Sequence, residues 1–167
     1  LAPLNLPAWH ALSPLDATVA ACTNNIAGGL LERPIANLQH PAARAALAQS
    51  AEQAQRFWQR AGTWVHHERA LYQRAMASLA LGEPAAAREH AIDALALLNA
   101  HDHDHAEDVD RAFIELEHWC ACERLGLAGE AADARAQADA LAAKFDDAGL
   151  TSWFEQRRET LKAMLPG

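Results

Sequence analysis

The chain has 167 residues, of which 51% are apolar, and it carries a formal net charge of −8 at pH 7. A chain of this length can form one domain that buries about 70% of its unfolded surface, so it needs neither disulfides nor a metal to fold. The acidic balance argues against a nucleic-acid partner, which favours a basic face. No apolar run approaches the roughly 18 residues of a membrane span, so no membrane partner is expected.

The cysteines and the N-terminus indicate a cytoplasmic protein. Cys22, Cys120 and Cys122 are odd in number and do not form a disulfide pattern, which favours reduced thiols. Residues 1–13 contain two prolines and no basic start, so they do not resemble an export signal.

Helical periodicity is found along most of the chain, whereas alternating strand patterns are almost absent. Ser13 is placed to cap a first helix, whose apolar stripe has steps of four and three residues and consists of Leu15, Val19, Cys22, Ile26 and Leu30. A second helix is expected from near Pro41 to Gly62. A third helix, capped by Thr63, is expected to end at Gly82.

The remaining helices follow at similar spacing. The fourth is expected to begin at Glu83 and Pro84, and the polar tract 101–105 then interrupts the pattern. The fifth is expected to end at Gly126, and the sixth at Gly149. Ser152 and a glutamate three residues later form the start signal of a seventh helix.

One spacing of small residues occurs twice. In this spacing an apolar residue lies seven positions before a glycine, and alanines lie five and twelve positions after that glycine. It occurs first as Ala75, Gly82, Ala87 and Ala94, and again as Trp119, Gly126, Ala131 and Ala138. The stretches 71–98 and 115–141 resemble tetratricopeptide repeats, which are antiparallel helix pairs with a tight turn. The two glycines are 44 residues apart rather than the family's 34, so about ten residues are inserted around the polar tract.

The expected fold is therefore all-α, a tetratricopeptide-like stack of antiparallel helix hairpins with about seven helices. An extended arm is expected at 1–12 and a single helical domain at 13–167. The hairpins and the C-terminal capping helix are expected at about 13–61, 63–100, 107–147 and 151–165.

The resemblance implies a non-enzymatic scaffold that binds a peptide or helix of another protein in its concave groove, without a cofactor. In this family the first helix of each pair lines that groove. The predicted partner-binding residues are Asn24, Asn25, His67, Arg69, Tyr72, Gln73, Met76, Phe113, Glu117 and Arg124. The two arginines are expected to pair with acidic groups. The Lys and Asn with which one subclass clamps chaperone carboxylates are absent at the corresponding positions, so that activity is not expected.

Three alternatives remain open. A small-molecule or metal pocket would use Asn24, Asn25, His67 and Glu68. An enzyme would use His67 or His118 as a general base, because imidazole titrates near neutrality, but no nucleophile or cofactor motif accompanies them. An oligomerising module would use the apolar arm residues Leu4, Leu6, Trp9 and Leu12, which could cover the first helix pair or bind a second subunit of a homodimer.

No metal site is expected. The tract His101-Asp102-His103-Asp104-His105 has metal-ligating residue types, but consecutive ligands without a second cluster are typical of a solvated linker. Glu115 and His118 have the spacing of di-iron helices, but the second pair that such sites need is missing.

Overall fold

The computed structural model describes residues 14–33 and 38–165. Over these residues the chain forms seven α-helices and no β-strand: α1 (Pro14–Leu31), α2 (Pro41–Ala61), α3 (Trp64–Leu81), α4 (Pro84–His101), α5 (Asp108–Leu125), α6 (Ala128–Ala142) and α7 (Ala148–Lys162). The predicted all-α fold is confirmed. The arm 1–12, the predicted cap Ser13 and the C-terminal pair 166–167 lie outside the described residues. Within them, no helix is both long and apolar enough to cross a membrane.

The helices pack in two series. Consecutive helices from α1 to α6 contact one another, and α1 with α3, α3 with α5, and α5 with α7 form the second series. This arrangement is compatible with a stack of helical hairpins.

Glycine turns end α3 and α5 where the sequence predicts. Gly82 and Gly126 have φ of 81° and 72°, a left-handed conformation that costs a residue with a Cβ about 1–2 kcal/mol. In the first turn the N–H of Glu83 donates to the carbonyl of Ser78 at 2.8 Å, which satisfies one of the last carbonyls of the helix. The turns therefore fix where each hairpin reverses.

Alanines occupy the places where paired helices cross. Ala75 of α3, Ala87 and Ala94 of α4, and Ala131 and Ala138 of α6 are all fully buried. A methyl group lets two helix axes approach closely, so the repeated alanine spacing sets the distance between helices in each hairpin.

The start of α7 differs from the prediction. The helix begins at Ala148 because the carboxylate of Asp147 accepts a hydrogen bond of 2.6 Å from the N–H of Leu150. Aspartate is as strong an N-cap as serine, and this signal comes five residues earlier. Gly149 and Ser152 therefore lie inside α7, and the prediction of a helix start at Ser152 is wrong. The prediction that the sixth helix ends at Gly149 is also wrong, because α6 ends at Ala142.

The apolar stripe of α1 points largely outward. Leu15 and Ile26 are 70% and 53% exposed, and Cys22 is exposed as well. The buried positions are shifted by one residue to Asp16, Ala20 and Ala27, because small side chains allow close approach. Asp16 pairs with Arg60 of α2 at 2.9 Å.

Helix α5 is the centre of the molecule. Every residue from 112 to 122 is buried except Glu115, which is half-buried. Its apolar side chains share a core cluster with Phe154 and Leu161 of α7. The last helix thus covers α5 and completes the core.

Candidate functional site

The predicted binding residues of α3 are partly engaged within the chain. Arg69 donates to Asp110 Oδ2 at 2.7 Å and to Glu107 Oε2 at 2.9 Å, so the acidic groups that it binds belong to its own chain. Tyr72 is half-buried and packs against the core between α3 and α5. Met76, one turn further on, is also half-buried. Because residues four apart share a helix face, Tyr72 and Met76 form one stripe along α3.

Gln73 and Asn24 join α3 to α1. The Gln73 side-chain amide donates to the backbone carbonyl of Asn24 at 2.9 Å. Gln73 is buried, and its Oε1 has no hydrogen-bond partner within the described chain. Asn25 is exposed. Asn24 and Gln73, which are predicted to bind a partner, thus form a contact between two helices of the same chain.

The predicted binding residues Phe113 and Glu117 are buried beneath α7. The ring of Phe113 lies against Trp153 and Phe154, with centroids 4.6 and 5.3 Å apart. The carboxylate of Glu117 accepts two hydrogen bonds from the guanidinium of Arg157, at 2.6 and 2.8 Å. Neither side chain is available to a partner while α7 is in place.

Two residues of the alternative pocket, His67 and Glu68, have different surroundings. His67 Nε2 lies 3.0 Å from the carbonyl of Trp58 in α2. The neighbouring Glu68 lies instead near the charged groups of Asp110 and Arg111 in α5. Since adjacent residues on a helix point about 100° apart, His67 and Glu68 serve different interfaces.

Glu68 is a fully buried carboxyl group, and neither of its oxygens has a hydrogen-bond partner among the described residues. Burial is the largest effect and raises its pKa, and the nearby charges of Asp110 and Glu107 raise it further. The guanidinium groups of Arg69 and Arg111 oppose this shift, but the pKa of Glu68 still rises to about 8. The side chain is therefore mostly protonated and neutral at pH 7.

A cleft of about 310 Å³ lies at the C-terminal end of α3. Arg124 of α5 donates to the carbonyl of Leu79 at 3.0 Å, and Arg44 of α2 donates to the carbonyl of Leu81 at 2.6 Å. Neither arginine forms an ion pair with any carboxylate of residues 14–33 or 38–165. The rest of the lining consists of Gln39, Ala80, Gly82, Ala163 and Met164. We call this site the arginine cleft.

A second cluster of polar side chains connects α4, α5 and α6. His118 Nε2 lies 2.8 Å from Glu130 Oε1, and Glu130 accepts two further hydrogen bonds from Arg88, both at 2.8 Å. Glu115 Oε2 lies 3.5 Å from the other ring nitrogen, Nδ1 of His118. The thiol of Cys122 completes a group in which the ligand atoms of His118, Cys122 and Glu130 all lie within 4.8 Å of one another. We call these five residues the His118 cluster.

The charges of this cluster affect one another. Hydrogen bonding to Arg88 and then to His118 outweighs desolvation and lowers the pKa of Glu130 to about 2. Burial lowers the pKa of His118, but the nearby carboxylates of Glu115 and Glu130 reverse that effect and raise the pKa overall. Burial also raises the pKa of the Cys122 thiol to about 11. An ionised carboxylate thus lies beside a histidine that readily holds a proton.

Comparison of the chain with protein-family models, with curated proteins and with solved structures found no match. Its functional interpretation therefore depends on the geometry described above.

Proposed function

We propose that this chain is a non-enzymatic protein-interaction module that binds a carboxylate-bearing peptide in the arginine cleft. The observation that carries the proposal is the pair Arg44 and Arg124, two cations in one cleft without an acidic partner in the described chain. Each guanidinium has five N–H donors. One contact to a backbone carbonyl leaves several donors for a ligand, and hydrogen bonds to carboxylates are among the stronger ones in proteins.

The stripe that Tyr72 and Met76 form on α3 supports the binding of an extended peptide. Ala80 lines the cleft, and Met76 lies one turn before it on the same face. A peptide whose carboxylate binds the arginines would thus reach apolar surface next to its anchor. Tyr72, Met76 and Arg124 keep the roles that the sequence predicts for them, whereas Arg69 is engaged in its own ion pairs.

The charge of the whole protein restricts the ligand. At a formal net charge of −8, the chain repels strongly acidic segments at long range. A single carboxylate flanked by apolar residues therefore fits better than an acidic run. Both an isolated Asp or Glu side chain and a free C-terminus satisfy this description.

A purely structural role for the two arginines is the competing explanation. Cations that donate to the last carbonyls of a helix stabilise its C-terminus. Glutamine can retain one such donor without the charge. The variant Arg44→Gln/Arg124→Gln therefore separates helix capping from ligand binding.

The test is selection of binders from a random peptide library, followed by fluorescence anisotropy of the selected peptides. We expect selected peptides to need their carboxylate, and the double variant to bind them about tenfold or more weakly, since a hydrogen bond to a charged group contributes about 1.5–3 kcal/mol. Arg56→Gln is the matched control, because Arg56 is exposed on α2. Equal affinity for the double variant, or equal affinity of amidated and acidic peptides, would refute the proposal.

The proposed location is the cytoplasm. All three cysteines are free, with Cys22 exposed and the other two buried. A reducing compartment keeps an exposed thiol from forming mixed disulfides. Alkylation of Cys22 by a thiol reagent in intact cells, compared with the reduced purified protein, would measure its oxidation state.

A further inference from the structure

The His118 cluster combines three kinds of metal ligand in a regular helical frame. His118 and Cys122 are four residues apart on α5, so their side chains lie one above the other on one face. Glu130 lies on α6 and reaches the same point from across the Gly126 turn. Each ligand is thus held by a helix rather than by a loop.

The separations suit one small cation. Zinc bonds of about 2.0–2.3 Å in a tetrahedron place neighbouring ligand atoms about 3.3–3.7 Å apart. The three ligand atoms already lie within 4.8 Å of one another, and the closest pair, His118 Nε2 and Glu130 Oε1, is 2.8 Å apart. Small side-chain rotations would open that pair and bring the Cys122 sulfur closer.

The surrounding residues match the outer shell of a zinc site. A metal-bound histidine usually donates its other N–H to a carboxylate, which fixes the tautomer. Glu115 Oε2 lies 3.5 Å from His118 Nδ1, in the position for that role. Arg88 donates to both oxygens of Glu130 at 2.8 Å and so fixes the carboxylate with Oε1 facing the histidine, and a metal ion would replace the Arg88 hydrogen bond to Oε1.

We propose that His118, Cys122 and Glu130 bind one divalent transition-metal ion of the zinc class. Imidazole, thiolate and carboxylate together suit this class better than magnesium or calcium, which prefer oxygen ligands. Binding releases the thiol proton of Cys122 and leaves the imidazole proton on Nδ1, facing Glu115. The fourth position is open to water on the side of Glu130, the most exposed of the three ligands.

The bound ion would join α5 to α6. Binding to the folded state alone raises the stability of that state by mass action, so the site would act as a metal-dependent clamp of the last hairpin. It is independent of the arginine cleft, because no residue is shared between the two.

The test uses cobalt(II) and zinc with the purified full chain. A thiolate ligand gives cobalt an intense charge-transfer band in the near ultraviolet, and zinc competition measures the dissociation constant. We expect one equivalent to bind with a constant below about 1 µM, and the band to disappear in Cys122→Ser but not in Cys22→Ser. Glu115→Gln should weaken binding about tenfold or more, as outer-shell changes do.

Two further variants distinguish the outcomes. Glu130→Gln changes a half-exposed ligand and tests the site even if Cys122→Ser does not fold. His103→Ala removes the central histidine of the polar tract 101–105. Binding that survives Cys122→Ser and Glu130→Gln but is lost in His103→Ala would overturn the proposal, as would a dissociation constant above about 100 µM. The cluster would then be only an ion-pair network between helices.

Discussion

Replacement of Glu68 by glutamine should change how the stability of the protein depends on pH. The unfolded carboxyl group titrates near 4.5, whereas the folded one titrates at about 8. Between these values the folded state holds a proton that the unfolded state has released. A rise in pH through this window therefore favours the unfolded state, and the stability linked to the proton is complete only below about pH 4.5.

The magnitude follows from the two pKa values. One pKa unit corresponds to about 1.4 kcal/mol. Between pH 5 and pH 7 the wild-type chain should lose about 2.5 kcal/mol of unfolding free energy relative to Glu68→Gln, and about 1.4 kcal/mol more by pH 9. Both nearby carboxylates and both nearby guanidinium groups remain in the variant, so the difference isolates the titration of Glu68.

The assay is urea denaturation followed by tryptophan fluorescence at pH values from 5 to 9. Glu52→Gln is the matched control, because it removes one exposed carboxyl group from α2. Infrared absorption of a protonated carboxyl at pH 7, absent in Glu68→Gln, provides an independent reading. A difference from wild type that is the same at pH 5 and pH 9 would refute the reasoning and would indicate that Glu68 has a charged partner in solution.

Three further substitutions test the packing by chemical or thermal denaturation. Ala131→Val adds volume where α5 and α6 cross and should lower the free energy of unfolding by about 1–3 kcal/mol. Its control, Ala132→Val at an exposed position, should lower it by less than about 1 kcal/mol. Equal losses for the two variants would contradict the close packing of the helices. Gly126→Ala should lower the free energy of unfolding by about 1–2 kcal/mol, because Gly126 has a φ of 72°. Gly129→Ala should raise it by up to about 1 kcal/mol, because Gly129 lies in a helix with open space at its Cβ position. Arg157→Met leaves a buried carboxylate unpaired and should cost about 3–5 kcal/mol; a loss below about 1 kcal/mol would show that the pair is hydrated.

Helix boundaries were predictable because their signals are local. Thr63 precedes α3, Pro84 begins α4, and Gly82 and Gly126 end α3 and α5 as predicted. The error at α7 arose where two local signals compete, since Asp147 precedes the serine signal and caps the helix first.

The direction in which a helix faces was less predictable, because it depends on its neighbours. In α1 the largest apolar residues suggested the buried stripe, but Ala20 and Ala27 permit the closer contact and determine the buried face. In α5 nearly every side chain is buried, so no amphipathic pattern marks a groove. The resemblance to tetratricopeptide repeats predicts that Phe113 and Glu117 line a groove, but α7 occupies that surface.

The His118 cluster shows why sites formed across a turn are difficult to predict. Glu115 and His118 are conspicuous in the sequence, and Cys122 continues their helical spacing. Their partner Glu130 is twelve residues from the histidine and is brought close only because the chain reverses at Gly126. The arginine cleft involves longer separations still, since Arg44 and Leu81 are 37 residues apart.

The way in which α7 is attached has a consequence for the surface beneath it. This helix makes its main contacts with α5, so a local opening that separated α7 from α5 would leave the contacts among α1 to α6 in place. Its detachment would expose Phe113 and Glu117 together, beside the α3 stripe. A ligand that binds this face only when α7 is detached would have an apparent affinity reduced by the fraction of molecules in that state. The strength of the Glu117–Arg157 pair would then determine how much of the protein is open to such a ligand.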